Sequence, residues 1–242
     1  MTPLYKYSAY LMAPLALMAS LLLSSCSLFS SKRSSADTGK YIVAVDLGLS
    51  VKWGSINLGA NKPYEYGDYF MWGETTPATD EFCNWGTYKL ANGSDWDKPR
   101  LNKYCPLASY ADEGMTDSRK ILEPEDDAAR QLLGGKWRMP TISEWRELHA
   151  DCRWEWTTIN HVKGYKVTSR KDGYTNMSIF LPAAGYRYED KNCDQKINGY
   201  YWSATLDEYY PSNAANYDFD YDSNVWSGHD RCNGFSIRPV SD

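Results

Sequence analysis

Apolar and polar residues alternate along much of the C-terminal half of the chain. From Cys152 to Thr158, Trp154, Trp156 and Thr158 fall on one side and Glu155 and Thr157 on the other, the period of a half-buried strand. Tyr165 to Ser169 repeats the pattern. Lys171-Asp172-Gly173 supplies a hairpin turn, and Met177 to Leu181 is the return strand, ended by Pro182. Further strands are expected over Tyr200–Thr205, Ala215–Tyr221 and Phe235–Val240, with a polar loop from Gly185 to Gly199. Near the start, Tyr41–Leu47 and Val51–Trp53 read as short strands joined by Gly48-Leu49-Ser50. A Pro-, Asn- and Gly-punctuated loop from Gly59 to Gly67 then leads to the buried-looking aromatics of Asp68–Glu74.

In the middle of the chain the period turns helical. Pro124 to Leu133 predicts a helix, with Pro near its first position, acids in its first turn, Ala128, Leu132 and Leu133 at helical spacing, and Gly134-Gly135 as its stop. A second helix is expected to start at Thr141. Thr141 is an N-cap with Glu144 three places on, so each side chain bonds the other's backbone N–H, while Trp145 and Leu148 share one face. These helices predict an α+β domain, two short helices packed on short, mainly antiparallel strands with long irregular loops. From Thr75 to Met115 neither period holds, and an irregular excursion of that length often carries function.

Composition narrows the classes. The 242 residues carry a net charge of −5, and the 26 basic residues are scattered without a stripe, which excludes nucleic acid as the expected partner. Aromatic residues make up 15%, with 10 Trp and 20 Tyr. Such rings either fill a strand-rich core or form stacking platforms for a sugar or a protein partner.

The N-terminus reads as an address. Lys6 begins a short positive region, and Leu11 to Ser25 is apolar but too short for a comfortable span. Leu23-Ser24-Ser25-Cys26 resembles the bacterial lipobox, which implies that Cys26 becomes the lipidated first residue of the mature protein. An ordinary secretory peptide and a retained anchor are the alternatives. Ser27 to Thr38 has the composition of a flexible tether. The expected division is a signal peptide over 1–25, the lipidated cysteine and tether over 26–40, and one domain over 41–242. The expected location is the cell envelope at the outer membrane, held there by acyl chains. Five cysteines remain beyond Cys26, an odd number with no CxxC spacing.

Six ordered segments carry a family resemblance: Val45–Trp53, Tyr66–Glu74, Asp126–Ala129 with Gly134–Thr141, Leu181–Arg187, Tyr201–Ser203 and Gly234–Val240. They resemble the Fibrobacter succinogenes major paralogous domain over roughly residues 41 to 240. That resemblance implies a C-type-lectin-like fold of the sulfatase-modifying-factor type, in Bacteroidetes lipoproteins and surface proteins, and it implies little chemistry. The cysteine pair of the formylglycine-generating enzymes has no counterpart, because Cys193 and Cys232 fall on separate segments.

Other catalytic signatures are missing too, and His149, His161 and His229 are scattered, so no enzyme is expected. Asp190, Asn192 and Asp194 place oxygen ligands at alternate positions, making them candidates for a structural calcium; no other cofactor is expected. Gln195 and Tyr201 depart from the calcium-loop pattern, and an Asp/Asn-rich hydrophilic turn is the plainer reading. Asp218, Asp220 and Asp222 alternate with Tyr217, Phe219 and Tyr221, as a solvated face over an aromatic one would. Trp85, Tyr88, Trp96, Tyr209, Tyr210 and Trp226 are the candidate ligand-binding rings, for a glycan or an envelope protein. The function expected is a non-catalytic, membrane-anchored binding module, with a structural role in an envelope complex as the alternative.

Overall fold

The computed structural model describes residues 42–78, 82–93 and 99–242. Among these residues sixteen strands, two α-helices and one 3-10 turn (Asp112–Gly114) follow in order. The first five strands are short: β1 (Ala44–Val45), β2 (Lys52–Gly54), β3 (Tyr69–Phe70), β4 (Ala91–Asn92) and β5 (Arg100–Leu101). Helix α1 (Ala128–Leu133), β6 (Trp137–Arg138) and helix α2 (Ile142–Asp151) come next. Strands β7 (Cys152–Ile159), β8 (Val162–Ser169) and β9 (Ser178–Pro182) form a meander, followed by the hairpin β10 (Tyr186–Tyr188) and β11 (Lys191–Cys193). The chain closes with β12 (Gly199–Leu206), β13 (Asn213–Phe219), β14 (Asn224–Asp230), β15 (Phe235–Ser236) and β16 (Val240–Ser241).

The domain is organised on the five-stranded sheet β14-β13-β12-β15-β3. Alternate residues of a strand face opposite sides, so Tyr201 and Trp202 of β12 enter different cores. On Tyr201's side lie Tyr217, Phe219, Trp53, Trp145, Leu148, Tyr165, Val167 and Leu181, contributed by β13, β2, α2 and the β7–β9 meander. Trp145 of α2 is its centre, stacked on Tyr217 at 5.1 Å and 7°, and edge-on to Trp53 at 4.7 Å. On Trp202's side lie Phe70, Trp72, Tyr104, Ala128, Ala129, Met139 and Phe235. Trp72 and Trp202 each satisfy the indole N–H inside the sheet, donating to Ser203 O at 2.8 Å and Phe70 O at 2.7 Å.

This architecture overturns the α+β, C-type-lectin-like expectation. Strands hold 37% of the described residues and helices 10%, so the fold is β-rich. The local signals for the two helices were sound, but the helices are small. The first begins at Ala128 and not at Pro124, because Asp127 is its N-cap, accepting from Arg130 N–H. The second has the expected capping box at Thr141 and Glu144.

Two stretches read as irregular or loop, and one given no element, are ordered. The excursion after Thr75 holds the β4–β5 hairpin and a third core of Met71, Cys83, Trp85, Tyr88, Leu101, Cys105 and Cys232. The polar loop over 185–199 contains β10–β11, and β14 follows the Asp220 turn. Conversely, the strand expected over 41–47 is only Ala44–Val45 among the described residues.

Candidate functional site

Strand β14 lies at the rim of the five-stranded sheet, paired with β13 in continuous register from Asn213↔Asp230 to Phe219↔Asn224. Within it Trp226 sits opposite Tyr217, on the side covered by α2. Helix α2 is short, so its first turns stop beside β14 and leave a groove of about 860 Å³. Ile142 and Arg146 of α2 form one wall, Trp226, Ser227 and Gly228 of β14 the other, and the segment Thr205–Pro211 an end. A volume of this size suits a ligand of several rings or a few residues.

Local chemistry shapes that segment. Asp207 Oδ1 accepts from the N–H groups of Tyr209 and Tyr210 at 2.9 and 2.8 Å, folding residues 207–210 into an Asx-type turn. The turn presses so closely on β14 that a Cβ at position 228 would lie 2.3 Å from Asp207 Oδ2, which is why glycine stands there. Trp226 is held from two directions. The Arg146 guanidinium lies 5.1 Å from its ring centre, and His149 meets it edge-on at 6.0 Å. Trp226 nevertheless remains 49% exposed. His149 is itself fixed, with Nδ1 2.5 Å from the Tyr217 hydroxyl.

The structure sorts the sequence-predicted rings. Tyr209 and Trp226 line the groove, while Tyr210 is exposed beside it. Tyr88 is 2% exposed and donates its hydroxyl to Trp72 O at 2.7 Å, so it is a core residue and not a platform. Trp85 is also buried, edge-on to Tyr88 in the third core. Trp96 and Cys26 lie outside the described residues. Arg146 was missed, because on a helix read only for its apolar face its role as a wall depends on β14, eighty residues away.

Of the calcium candidates, Asn192 lies in β11 while Asp190 and Asp194 flank that strand, Asp194 with a left-handed φ of 54°. Asn192 Oδ1 already accepts from Arg187 Nη1 at 3.3 Å, which puts a guanidinium where a cation would sit. Another acidic group, Glu123, Glu125 and Asp126, surrounds the Lys103 ammonium at 2.8, 3.3 and 2.5 Å. Lysine supplies the positive charge there. Of the alternating acids, Asp218 contacts His229 Nε2 at 3.1 Å and Asp220 caps the turn after β13 through the N–H groups of Asp222 and Ser223, so the pattern is not a uniformly solvated face.

No disulfide joins the five cysteines among the described residues. Burial pushes the Cys105 and Cys232 thiols up and raises Cys152 to about 12, which makes these three poor nucleophiles at neutral pH.

The family model of a domain of unknown function, DUF8237, matches residues 158–240. That span includes β8 through β15 and the β14 wall of the groove, and leaves out α2 with Arg146. Comparison with curated proteins and with solved structures found no match.

Proposed function

We propose that this chain is an exported lipoprotein, anchored at Cys26, whose β-rich domain binds a glycan in the groove between α2 and β14 without catalysing a reaction. The observation that carries the reading is Trp226. It is half exposed although Arg146 and His149 fix its orientation, so it offers a rigid ring face beside polar groups. Sugars are recognised by that pairing, an aromatic plane against C–H faces and polar side chains around the hydroxyls. Arg146, Ser227, Asp207 and Glu208 supply donors and acceptors along the same walls. The raised thiols and the engagement of His149 with Tyr217 speak for binding rather than catalysis. Kinship with the Fibrobacter succinogenes major paralogous domain belongs to the same proposal and rests on the six ordered segments.

A second reading rests on the outer edge of β14. Among the described residues this strand has a neighbour on one side only, and it exposes Val225 and Trp226. An unpaired edge of seven residues without lysine or proline is a template for a partner strand, as an envelope assembly component would use.

The test is a glycan array probed with the full-length protein in a polyoxyethylene detergent, which carries no sugar, with calcium and then with a chelator. Binding that survives chelation and falls tenfold or more in Trp226→Ala supports the groove, as expected of a central ring. Silence across the array, or Trp226→Ala binding like the parent, would sink the glycan reading and leave the edge-strand one.

A further inference from the structure

On the opposite side of β14 from Trp226 the fold makes a second, smaller pocket, of about 270 Å³. Its walls are Tyr186 and Tyr188 of β10, Tyr200 of β12, His229 of β14 and Phe235 of β15, with Asp230 at its mouth. The rings support one another. Tyr200 is 5.1 Å from both Tyr186 and Phe235, and His229 meets Tyr200 at 5.6 Å and Phe235 at 5.4 Å, both steeply inclined. Tyr188, 47% exposed, closes the outer side.

The lining of this pocket holds one carboxylate, Asp230, whose pKa burial raises against a smaller lowering by the neighbouring His229. No lysine or arginine lines it, and the Asp230 carboxylate makes no hydrogen bond or ion pair with a described residue. His229 turns its Nε2 to Asp218, which places a second carboxylate behind the wall. Lys191, the register partner of Tyr188, is exposed on the hairpin and forms no part of the lining. Burial raises the phenols of Tyr186 and Tyr200, so both rings are neutral and keep electron-rich faces at physiological pH. A pocket lined by aromatic rings and one carboxylate is complementary to a desolvated cation, and the volume restricts that cation to a small group.

We propose that this pocket binds a small organic cation, a quaternary or methylated ammonium group, with the rings of Tyr186, Tyr188, Tyr200 and Phe235 around it and the Asp230 carboxylate balancing its charge. The site is independent of the glycan groove, since Tyr200 and His229 face one side of the sheet and Trp226 the other.

The experiment is calorimetric titration of the full-length protein in the same detergent, which also carries no ammonium. The probes are choline and its neutral isostere 3,3-dimethylbutanol, which differ in charge and hardly in shape. Choline is expected to bind, and at least tenfold more tightly than the isostere. Tyr188→Ala and Asp230→Asn alter the rim and the mouth, not the core, and each should weaken choline about five- to tenfold while leaving the thermal midpoint in place. Equal affinity for the two probes would reduce the pocket to an apolar hole and overturn the proposal. So would no heat from 50 mM choline, or unchanged affinity in both variants. Trp226→Ala should leave choline binding intact, so failure of the glycan reading and failure of this one are separable.

Discussion

At the scale of the residue, two buried arginines do different work. Arg238 has no solvent exposure and uses its whole fork: Nε and Nη2 donate to Asn57 Oδ1 at 2.9 and 2.7 Å, Nη1 to Gly54 O at 2.9 Å, and Nη2 to Phe180 O at 2.7 Å. It ties β2, the Asn57 turn and β9 together from its place just before β16. Arg231 is equally buried but gives one bond, Nη1 to Lys103 O at 3.1 Å, leaves Nε and Nη2 without acceptors, and lies over Trp72 at 5.3 Å and Tyr88 at 5.9 Å. Removing Arg238 strands several buried acceptors, each costing roughly 1–3 kcal/mol. Removing Arg231 also removes an uncompensated buried charge. Arg238→Met is therefore expected to lose about 3 kcal/mol or more in urea denaturation, and Arg231→Met about 1 kcal/mol or less. The reverse ranking would mean that ring stacking, not the hydrogen-bonded fork, holds these cations. The Gly-Phe-Ser-Ile-Arg-Pro-Val segment was legible as a motif, yet its arginine's role was not, since all three acceptor groups come from distant parts of the chain.

Among the elements, α2 is the most autonomous and was the most legible. Its start is written within four residues: Glu144 N–H donates to Thr141 Oγ1 at 3.3 Å, and Thr141 N–H donates to Glu144 Oε2 at 2.7 Å. Arg138 adds a bidentate contact to Glu144 at 2.6 and 2.9 Å. Burial penalises the Glu144 carboxylate, but Arg138 and the Thr141 N–H outweigh it, and its pKa falls below the ordinary value. An acid with a depressed folded pKa adds stability above its unfolded value of about 4.3, and that contribution is lost as pH falls through the folded value. Glu144→Gln should thus cost about 1–2 kcal/mol at pH 7, and the gap to the parent should narrow towards pH 3. Parallel urea curves at both pH values would show it; a gap that stays constant would mean that shape and not charge makes the contact. The hairpin β10–β11 and strand β14 lacked such a local signature. Lys191-Asn192-Cys193 is polar throughout, and Asn224–Asp230 reads as a loop because its two faces serve different walls: Trp226 meets α2, while His229 meets Tyr200. Likewise Trp85 and Tyr88 gave no period, because Leu101, Cys105 and Cys232 bury them from elsewhere in the chain. Two well-signalled helices thus outweighed many weakly signalled strands, and the expectation tilted to α+β.

For the whole molecule, the three cores bear on the proposed anchoring at Cys26. Among the described residues the cores start at Val45, and Val43 is bonded to the domain, its N–H donating to Ser55 Oγ at 3.0 Å and its carbonyl accepting from Ser55 N–H at 2.8 Å. If the cores of the described residues suffice for the fold, lipidation and folding should be separable. With an alkyne-tagged fatty acid in the growth medium, the parent chain is expected to take up label and Cys26→Ser to take up none. The variant's domain should still unfold within about 2 °C of the parent, the shift that corresponds to less than 1 kcal/mol for a chain of this size. A parent chain without label would favour the secretory-peptide or retained-anchor alternative. A variant that loses both label and stability would show that the lipidated segment belongs to the fold. The expected result leaves a domain with a groove on one side of its central sheet and an aromatic pocket on the other.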